Sequence, residues 1–226
     1  MPNPTLYIVA TPIGNLSDFS PRAVEILKSV DAILCEDTRV TKKLLNHFSI
    51  NKPTLSYHHH SSLSKIEQII NMLKSGQSLA LVSDAGTPGI ADPGGQLVSA
   101  IVKNLPAAQI MPIPGPSALM SALSISGFPA DSFVFLGWPP HKKGRETFFK
   151  KLTEEARVVV FYESVHRIKK ALASLSAVCA HREIVVAREI TKKFESVYRG
   201  CPKDVLGALS DNEVKGEFVV VLNRQT

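Results

Sequence analysis

No stretch of this 226-residue chain approaches the roughly 18–20 consecutive apolar residues of a membrane span. The first residues, Met1-Pro-Asn-Pro-Thr-Leu6, lack the charged and apolar regions of a signal peptide, so a cytoplasmic protein is expected. Cysteine is scarce. Cys35, Cys179 and Cys201 lie far apart and form no C-x-x-C pair, which argues against a disulfide framework or a zinc site. Cys35 closes the apolar run Ala32-Ile-Leu-Cys35 and is expected to be a buried thiol. Several nucleotide and hydrolase signatures are also missing. The chain has no G-x-x-x-x-G-K-[ST], no G-x-G-x-x-G after its first strand and no G-x-S-x-G. These absences disfavour a P-loop NTPase, a dinucleotide-binding Rossmann domain and a nucleophile-elbow hydrolase. The triple His58-His-His60 is not read as a metal site, because adjacent strand residues face opposite sides and no carboxylate or cysteine follows at ligand spacing. A loop or N-cap role is expected there instead. There is no internal repeat and no low-complexity segment.

What the chain does have is a fifteen-residue loop, Leu81-Val-Ser-Asp-Ala-Gly-Thr-Pro-Gly-Ile-Ala-Asp-Pro-Gly-Gly95, with four glycines, two prolines and two aspartates. The apolar run Leu79–Val82 leads into it and reads as a buried strand closed by Gly and Pro. Gly permits close backbone approach and Pro fixes φ, so the loop is built to hold one shape. Open α/β sheets bind ligands at the carboxyl ends of their strands. The plainer alternative is a tight connection, but those are usually only about 2–6 residues long.

Strands alternate with helices over the first 125 residues or so, which predicts a mostly parallel sheet with helices on both faces. Ser20-Pro21 reads as an N-cap followed by Pro at the first helical position, and Ala23, Ile26, Leu27 and Val30 supply the apolar stripe. A break then follows. Gly127-Phe-Pro-Ala-Asp131 and Gly137-Trp-Pro-Pro-His141 bracket a short apolar run, a composition suited to an interdomain crossover. Two domains are expected, 1–127 with the loops above and 128–226 with a mixed sheet. In the second, a helix is predicted from Val165 and strands near Ile184–Ala187, Phe194–Tyr198 and Glu217–Leu222.

The net charge of +6 is uneven. Residues 1–127 hold nine Lys+Arg against eight Asp+Glu, and residues 128–226 hold seventeen against twelve. Basic clusters stand at His141–Arg145, His166–Lys170 and Arg188–Lys193. A basic half points to an anionic partner such as RNA, with solvated helix faces as the plainer reading.

Further loops complete the pattern. The segments Thr11-Pro-Ile-Gly-Asn-Leu16, Glu36-Asp-Thr-Arg39, Leu81–Gly94, Pro114-Gly-Pro-Ser117, Phe161-Tyr-Glu-Ser-Val-His-Arg167 and Arg188-Glu-Ile-Thr191 occur in order along nearly the whole chain. Together they resemble the tetrapyrrole methylase superfamily, and within it the branch of bacterial 16S ribosomal RNA cytidine-2′-O-methyltransferases. The resemblance implies two α/β domains with the active site in the cleft between them, usually in a homodimer, and S-adenosylmethionine as cofactor. It implies that the cofactor lies against Ala10, Asp84, Gly86, Thr87 and Ile90, with Ser117 and Ala118 near. The second domain would add Tyr162, Ala187 and Glu217. For Asp84, an Asx-type turn that only caps the loop is the alternative. Larger members of the family carry a further C-terminal segment of helices.

The implied reaction is methylation of a cytidine ribose in 16S rRNA. The alternatives are a precorrin-type tetrapyrrole as methyl acceptor, or an RNA-binding module with an inactive pocket. In-line methyl transfer from a sulfonium depends mainly on orientation, which is worth roughly 7–11 kcal/mol. A ribose hydroxyl is a weak nucleophile, so a general base or a cation should help. Candidates are Glu36, Asp37, Arg39, Glu163, His166, Arg188, Glu189 and Lys192, of which Glu163 and Glu189 follow predicted strand ends in the basic domain. The alternative for both carboxylates is helix capping or pairing with a nearby arginine. Arg167, Lys169, Lys170, Lys192 and Lys193 are expected on the RNA backbone. Arg39 and Arg188 are read as phosphate contacts or fold anchors, since guanidinium cannot act as a base. No metal is expected.

Overall fold

The structure, a computed structural model, describes residues 4–209 and 215–225; Met1–Asn3 of the amino-terminal stretch lie outside them. The chain divides into two compact units, Met1–Ser117 and Ala118–Thr226.

The first unit runs β1 (Thr5–Val9), α1 (Pro21–Ser29), β2 (Ala32–Cys35), α2 (Thr38–His47), β3 (Thr54–Ser56), α3 (Leu63–Lys74), β4 (Leu79–Val82), α4 (Gly94–Asn104) and β5 (Gln109–Ile113). All five strands are parallel, in the order β3-β2-β4-β1-β5. Every residue of β2 and β4 is buried, as a sheet covered on both faces demands. The period of two sorts them. Ile33, Cys35, Ala80 and Val82 pack with Ala23 and Leu27 of α1 and Leu45 of α2. Ala32, Leu34, Leu79 and Leu81 pack with Ile69 and Leu73 of α3 and Leu97 and Ile101 of α4. Thus α1 and α2 cover one face, and α3 and α4 the other. Ser20 caps α1 as expected, its Oγ accepting from the Ala23 N–H at 3.1 Å with Pro21 in the first turn. Cys35 is fully buried, and burial pushes its thiol pKa up.

This arrangement positions a site. The chain leaves β1 and β2 toward one face and leaves β4 toward the other. Strand β4 lies between β2 and β1, so its carboxyl end faces a crevice on either side, where doubly wound sheets bind ligands.

The second unit runs α5 (Ala118–Ser124), β6 (Phe133–Phe135), α6 (Arg145–Lys151), β7 (Val158–Ser164), α7 (Ile168–Val178), β8 (Ile184–Arg188), β9 (Ser196–Gly200), α8 (Pro202–Ala208) and β10 (Glu217–Leu222). Its sheet has the order β6-β7-β10-β8-β9, parallel at β6–β7 and antiparallel elsewhere. Phe149 of α6, Leu172 and Leu175 of α7 and Val205 of α8 pack on Val159, Phe161, Val186 and Val220. Helix α5 packs against β7, β8 and β10 and buries Leu119, Ala122 and Leu123. It therefore belongs to the second compact unit, although it precedes the Gly127–Asp131 break in sequence. Among the described residues no helix is long and apolar enough to cross a membrane.

Two elements begin later than their apolar residues suggest. Helix α7 starts at Ile168 rather than Val165 because Arg167 bonds back to Ser164 Oγ at 3.1 Å, holding a turn before the helix. Strand β9 starts at Ser196 rather than Phe194, since residues 189–195 form a tightly hydrogen-bonded loop.

Candidate functional site

In the first unit the loops at the strand ends are tied to one another by backbone groups. Thr11, just past β1, and Gly86, past β4, exchange both hydrogen bonds at 2.9 and 3.1 Å. Thr11 Oγ1 also donates to the Ser83 carbonyl at 3.1 Å, in buried surroundings. Thr87 Oγ1 donates to the Pro116 carbonyl at 3.3 Å, which ties the β4 loop to the one after β5. Asp92 Oδ1 accepts from the N–H groups of Gly89 and Gly94, both at 2.7 Å, and so fixes the far end of the loop onto α4. Gly94 is required there, because a Cβ would lie 2.8 Å from Gly89 N and 2.9 Å from Asp92 Oδ1.

Carboxylates gather at these strand ends. The Asp37 N–H donates to Asp84 Oδ1 at 3.2 Å, and the Asp84 N–H bonds the Glu36 carboxylate in return. Asp37 is neutralised by Arg39, which grips it at 2.6 Å and holds its carboxyl at about 2. Among the described residues Glu36 and Asp84 have no such partner. Burial pushes the Glu36 carboxyl up to about 7, with the charges of Asp92 and Asp84 adding to it. The Asp84 carboxyl is also raised, by burial and then by the charge of Asp37, against the hydrogen bond from the Asp37 N–H. The crevice beside β4 thus holds two carboxyls whose ionised form a cationic ligand would favour.

The remaining residues expected at the cofactor in this unit lie around the same loops. Ala10 is buried, with its N–H on the Ile113 carbonyl at 3.2 Å. Gly86 is buried, Thr87 and Ser117 are half-buried and Ile90 is 45% exposed, with its side chain available to an apolar ligand surface. The His58–His60 triple sits in an exposed turn, where Ser61 Oγ accepts from the His58 N–H at 2.9 Å.

In the second unit side chains hold the loops. Glu163 in β7 is fully buried. Its carboxylate meets Arg145 at 2.9 Å and Arg167 at 3.0 Å, and also accepts from the Ser164 N–H. The same two guanidinium groups donate to the Pro140 and Pro139 carbonyls, which ties the loop after β6 to the end of β7. Both carboxylate oxygens are thus engaged inside the protein and shut off from solvent. Glu163 therefore has the surroundings of an anchor, and Arg167 is spent on it instead of being free for phosphate.

Glu189, the other candidate base, is also engaged by its neighbours. Burial alone would raise its carboxyl pKa, but the hydrogen bonds from Lys192 and the Glu217 N–H, with the charges of Lys192 and Arg188, bring it below the usual value. Lys192 lies 2.8 Å from Glu189 and 3.1 Å from Glu217, so its charge is also taken up internally. The Glu189 carboxylate rests on Gly216, where a Cβ would stand 2.2 Å from it. Arg188 is buried and donates to the Lys215 and Phe194 carbonyls and to Ser196 Oγ at 2.9–3.1 Å. Of its two readings, phosphate contact and fold anchor, the structure supports the anchor.

Of the other residues expected at the cofactor, Ala118 is half-buried at the start of α5, and Ala187 is fully buried in β8, which is paired on both sides. Tyr162 stacks edge-on with Phe135 at 4.9 Å and tilted against Trp138 at 5.4 Å, and burial raises its pKa. Glu217 has a largely exposed carboxylate. Of the basic residues expected at RNA, Lys170 and Lys193 are exposed, Lys169 is half-buried, and Arg39 projects from the first unit. The sequence reading passed over Trp138 and Phe194, both exposed aromatics beside loop lysines or prolines; that neighbourhood was the available signal.

The fold and these loops define a doubly wound α/β ligand-binding unit joined to a mixed-sheet α/β unit. The chain belongs to the Tetrapyrrole (Corrin/Porphyrin) Methylases, whose family model matches residues 5–205. Among its relatives, "Ribosomal RNA small subunit methyltransferase I" of Xylella fastidiosa is 48% identical over 96% of this chain and 81% of its own length. The protein of the same name from Thermotoga maritima is 42% identical over 96% of this chain and 97% of its own. The crystal structure of a cobalt precorrin-4 methyltransferase shares the fold at a TM-score of 0.68 and 17% identity, covering 98% of this chain and 95% of that one.

Proposed function

We propose that this protein is an S-adenosylmethionine-dependent methyltransferase of small-subunit ribosomal RNA that modifies the 2′-oxygen of a cytidine ribose in 16S rRNA. The observation that carries this reading is the extended likeness to ribosomal RNA small subunit methyltransferases, at 42–48% identity over nearly the whole chain. The tetrapyrrole enzymes share only the fold, at 14–18% identity. The expected partner is the 30S subunit, the expected compartment the cytoplasm and the expected state a homodimer, as the resemblance in sequence implies.

The first unit's residues suit the cofactor. S-adenosylmethionine bears a sulfonium and an ammonium, and the crevice beside β4 offers Glu36 and Asp84, which among the described residues have no cationic partner. When bound, the cofactor supplies a methyl group as an electrophile. Asp84 and Glu36 answer its positive charge, Ile90 offers apolar contact, and the Thr11–Gly86 bridge keeps the loop in one shape. Fixed geometry of this kind is what orientation-dependent displacement requires. In the second unit, Glu163 and Glu189 position loops, and the exposed Lys142, Lys143, Lys170 and Lys193 are left for the RNA backbone.

The deciding experiment offers labelled S-adenosylmethionine with 30S subunits from a strain lacking the ribose methyl, and separately with a precorrin. Transfer to the 30S subunit is expected. Transfer to the macrocycle alone would overturn the assignment.

A further inference from the structure

One part of the second unit is more elaborate than the fold needs. The loop 189–195 between β8 and β9 spends seven residues joining two neighbouring antiparallel strands. Its backbone is pinned throughout. Lys192 N–H donates to the Glu189 carbonyl at 2.9 Å, Glu195 N–H to the Lys192 carbonyl at 3.1 Å, and Thr191 N–H to the Glu195 carboxylate at 2.6 Å. Glu189 and Thr191 both hold positive φ, at 50° and 68°, a conformation that side-chain-bearing residues keep only where the surroundings enforce it. The buried Arg188 guanidinium enforces it here: it donates to the Phe194 carbonyl at 3.1 Å, and Ser196 Oγ donates to that oxygen at 3.3 Å.

The tip of this rigid loop presents Phe194, 67% exposed. A large aromatic held out in water by a strained scaffold is a cost that folding alone does not explain. Beside it stands Lys193, its ammonium 5.7 Å from the ring centroid. The loop's other charges are consumed: Lys192 by Glu189 and Glu217, and the Glu195 carboxylate by the Thr191 N–H. Among the described residues Lys193 has no carboxylate partner. The tip lies at the end of the sheet where β6, β7 and β8 have their carboxyl ends and β10 begins, together with the exposed His141, Lys142, Lys143 and His166.

We infer that Phe194 is a stacking platform for an unpaired nucleobase of the RNA substrate, with Lys193 on the adjoining phosphate. The inference rests on the RNA reading above. An exposed aromatic ring with a lysine over one face leaves its other face for a base and the ammonium within reach of a phosphate, the two elements by which single-stranded RNA is recognised. The uncommitted positive charge around the tip favours RNA over a second copy of the chain, which would bring the same cations against one another.

The test uses the full-length protein and its Phe194→Ala, Phe194→Leu and Phe194→Trp variants. It measures the KM for 30S subunits, direct binding of a single-stranded oligoribonucleotide, cofactor affinity by calorimetry and mass by sedimentation. Phe194→Ala should raise the KM and the oligonucleotide Kd about five- to a hundredfold, the range of one lost base stack. Cofactor affinity should be unchanged. Phe194→Trp should stay within about twofold of the parent, and Phe194→Leu should behave like the alanine variant, because leucine keeps apolar bulk without an aromatic face. An unchanged KM in Phe194→Ala, full rescue by leucine, loss of cofactor binding or a change of mass with unaltered RNA binding would each overturn the inference. If the parent protein transfers nothing to 30S subunits, the functional reading fails, and the oligonucleotide titration still decides on Phe194.

Discussion

The two units solve the same problem, holding long loops still at the ends of a sheet, with opposite chemistry. In the first, backbone groups and short side chains bonded to the backbone do the holding: the Thr11–Gly86 bridge, the Asp92 turn, the Thr87 hydroxyl and the close approach at Gly94. Carboxylates are left over: burial pushes the Glu36 and Asp84 carboxyls up, and among the described residues no cation pairs with either. In the second, buried arginines do the holding, and the positive charge is largely absorbed. Arg145 and Arg167 serve Glu163, Arg188 serves three oxygens of its neighbouring loops, and Arg182 donates to the Leu152 and Asn223 carbonyls. Net charge counted along a chain is therefore a weak guide to the charge a surface offers. The near-neutral half exposes an anionic crevice, while the basic half uses most of its arginines as internal struts and offers lysines at loop tips.

Removing Glu163 attacks the second unit's device directly and has the largest expected effect. Glu163→Ala leaves two guanidinium groups without their buried partner, and breaking a buried pair in this way costs about 3–5 kcal/mol. Urea denaturation measures it, and a loss near zero would mean the clasp holds nothing. The matching attack on the first unit is Gly94→Ala. The added methyl must displace backbone at Gly89, and overpacking of this kind costs about 1–3 kcal/mol. Cofactor affinity should fall with it, because the displaced segment is the loop itself.

Charge in the crevice gives a pH signature that the second unit cannot mimic. A carboxyl raised from 4.5 to about 7 keeps its proton in the folded chain over a range where the unfolded chain has lost it. The folded state then binds more protons, so the contribution of Glu36 to stability falls as pH rises from 4.5 to 7. Glu36→Gln should therefore raise the melting temperature at pH 8 and leave it near the parent value at pH 4. A cationic ligand favours the ionised form, so the parent's affinity for S-adenosylmethionine should climb as pH passes through 7, and the glutamine variant should flatten that rise. Asp84→Ala should weaken the cofactor about tenfold or more, the scale of a lost hydrogen bond to a charged group; unchanged affinity in calorimetry would remove Asp84 from the site. The smallest effect belongs to Arg39, 87% exposed on its side chain. Arg39→Ala should leave the unfolding midpoint in place and lower the salt dependence of RNA binding by about one unit of slope, if Arg39 meets phosphate.

Most of the fold was legible in the residues. Strands β4, β5 and β10 coincide with their apolar runs, and Ser20-Pro21 marks the start of α1 through local chemistry alone. The Gly/Pro loop after β4 was legible because its shape is encoded locally. What the residues hid were relations between distant positions. Helix α5 reads as an ordinary amphipathic segment, and only packing shows that Leu119 and Leu123 belong with the second sheet. Glu163 and Arg145 are eighteen residues apart, so that half of the clasp is invisible to spacing, whereas Arg167 stands four residues from Glu163, and the pairing with a nearby arginine weighed for this carboxylate is present. Arg167 and Arg188 look like RNA contacts in a basic cluster, and the distant backbone carbonyls that accept from them carry no sequence signal.

The most direct test follows the methyl group to its atom. After reaction of the protein and S-adenosylmethionine with unmodified 30S subunits, digestion of the 16S rRNA to nucleosides and mass analysis should show a single new 2′-O-methylcytidine. Label in a base, in another nucleoside or in no nucleoside would contradict the account.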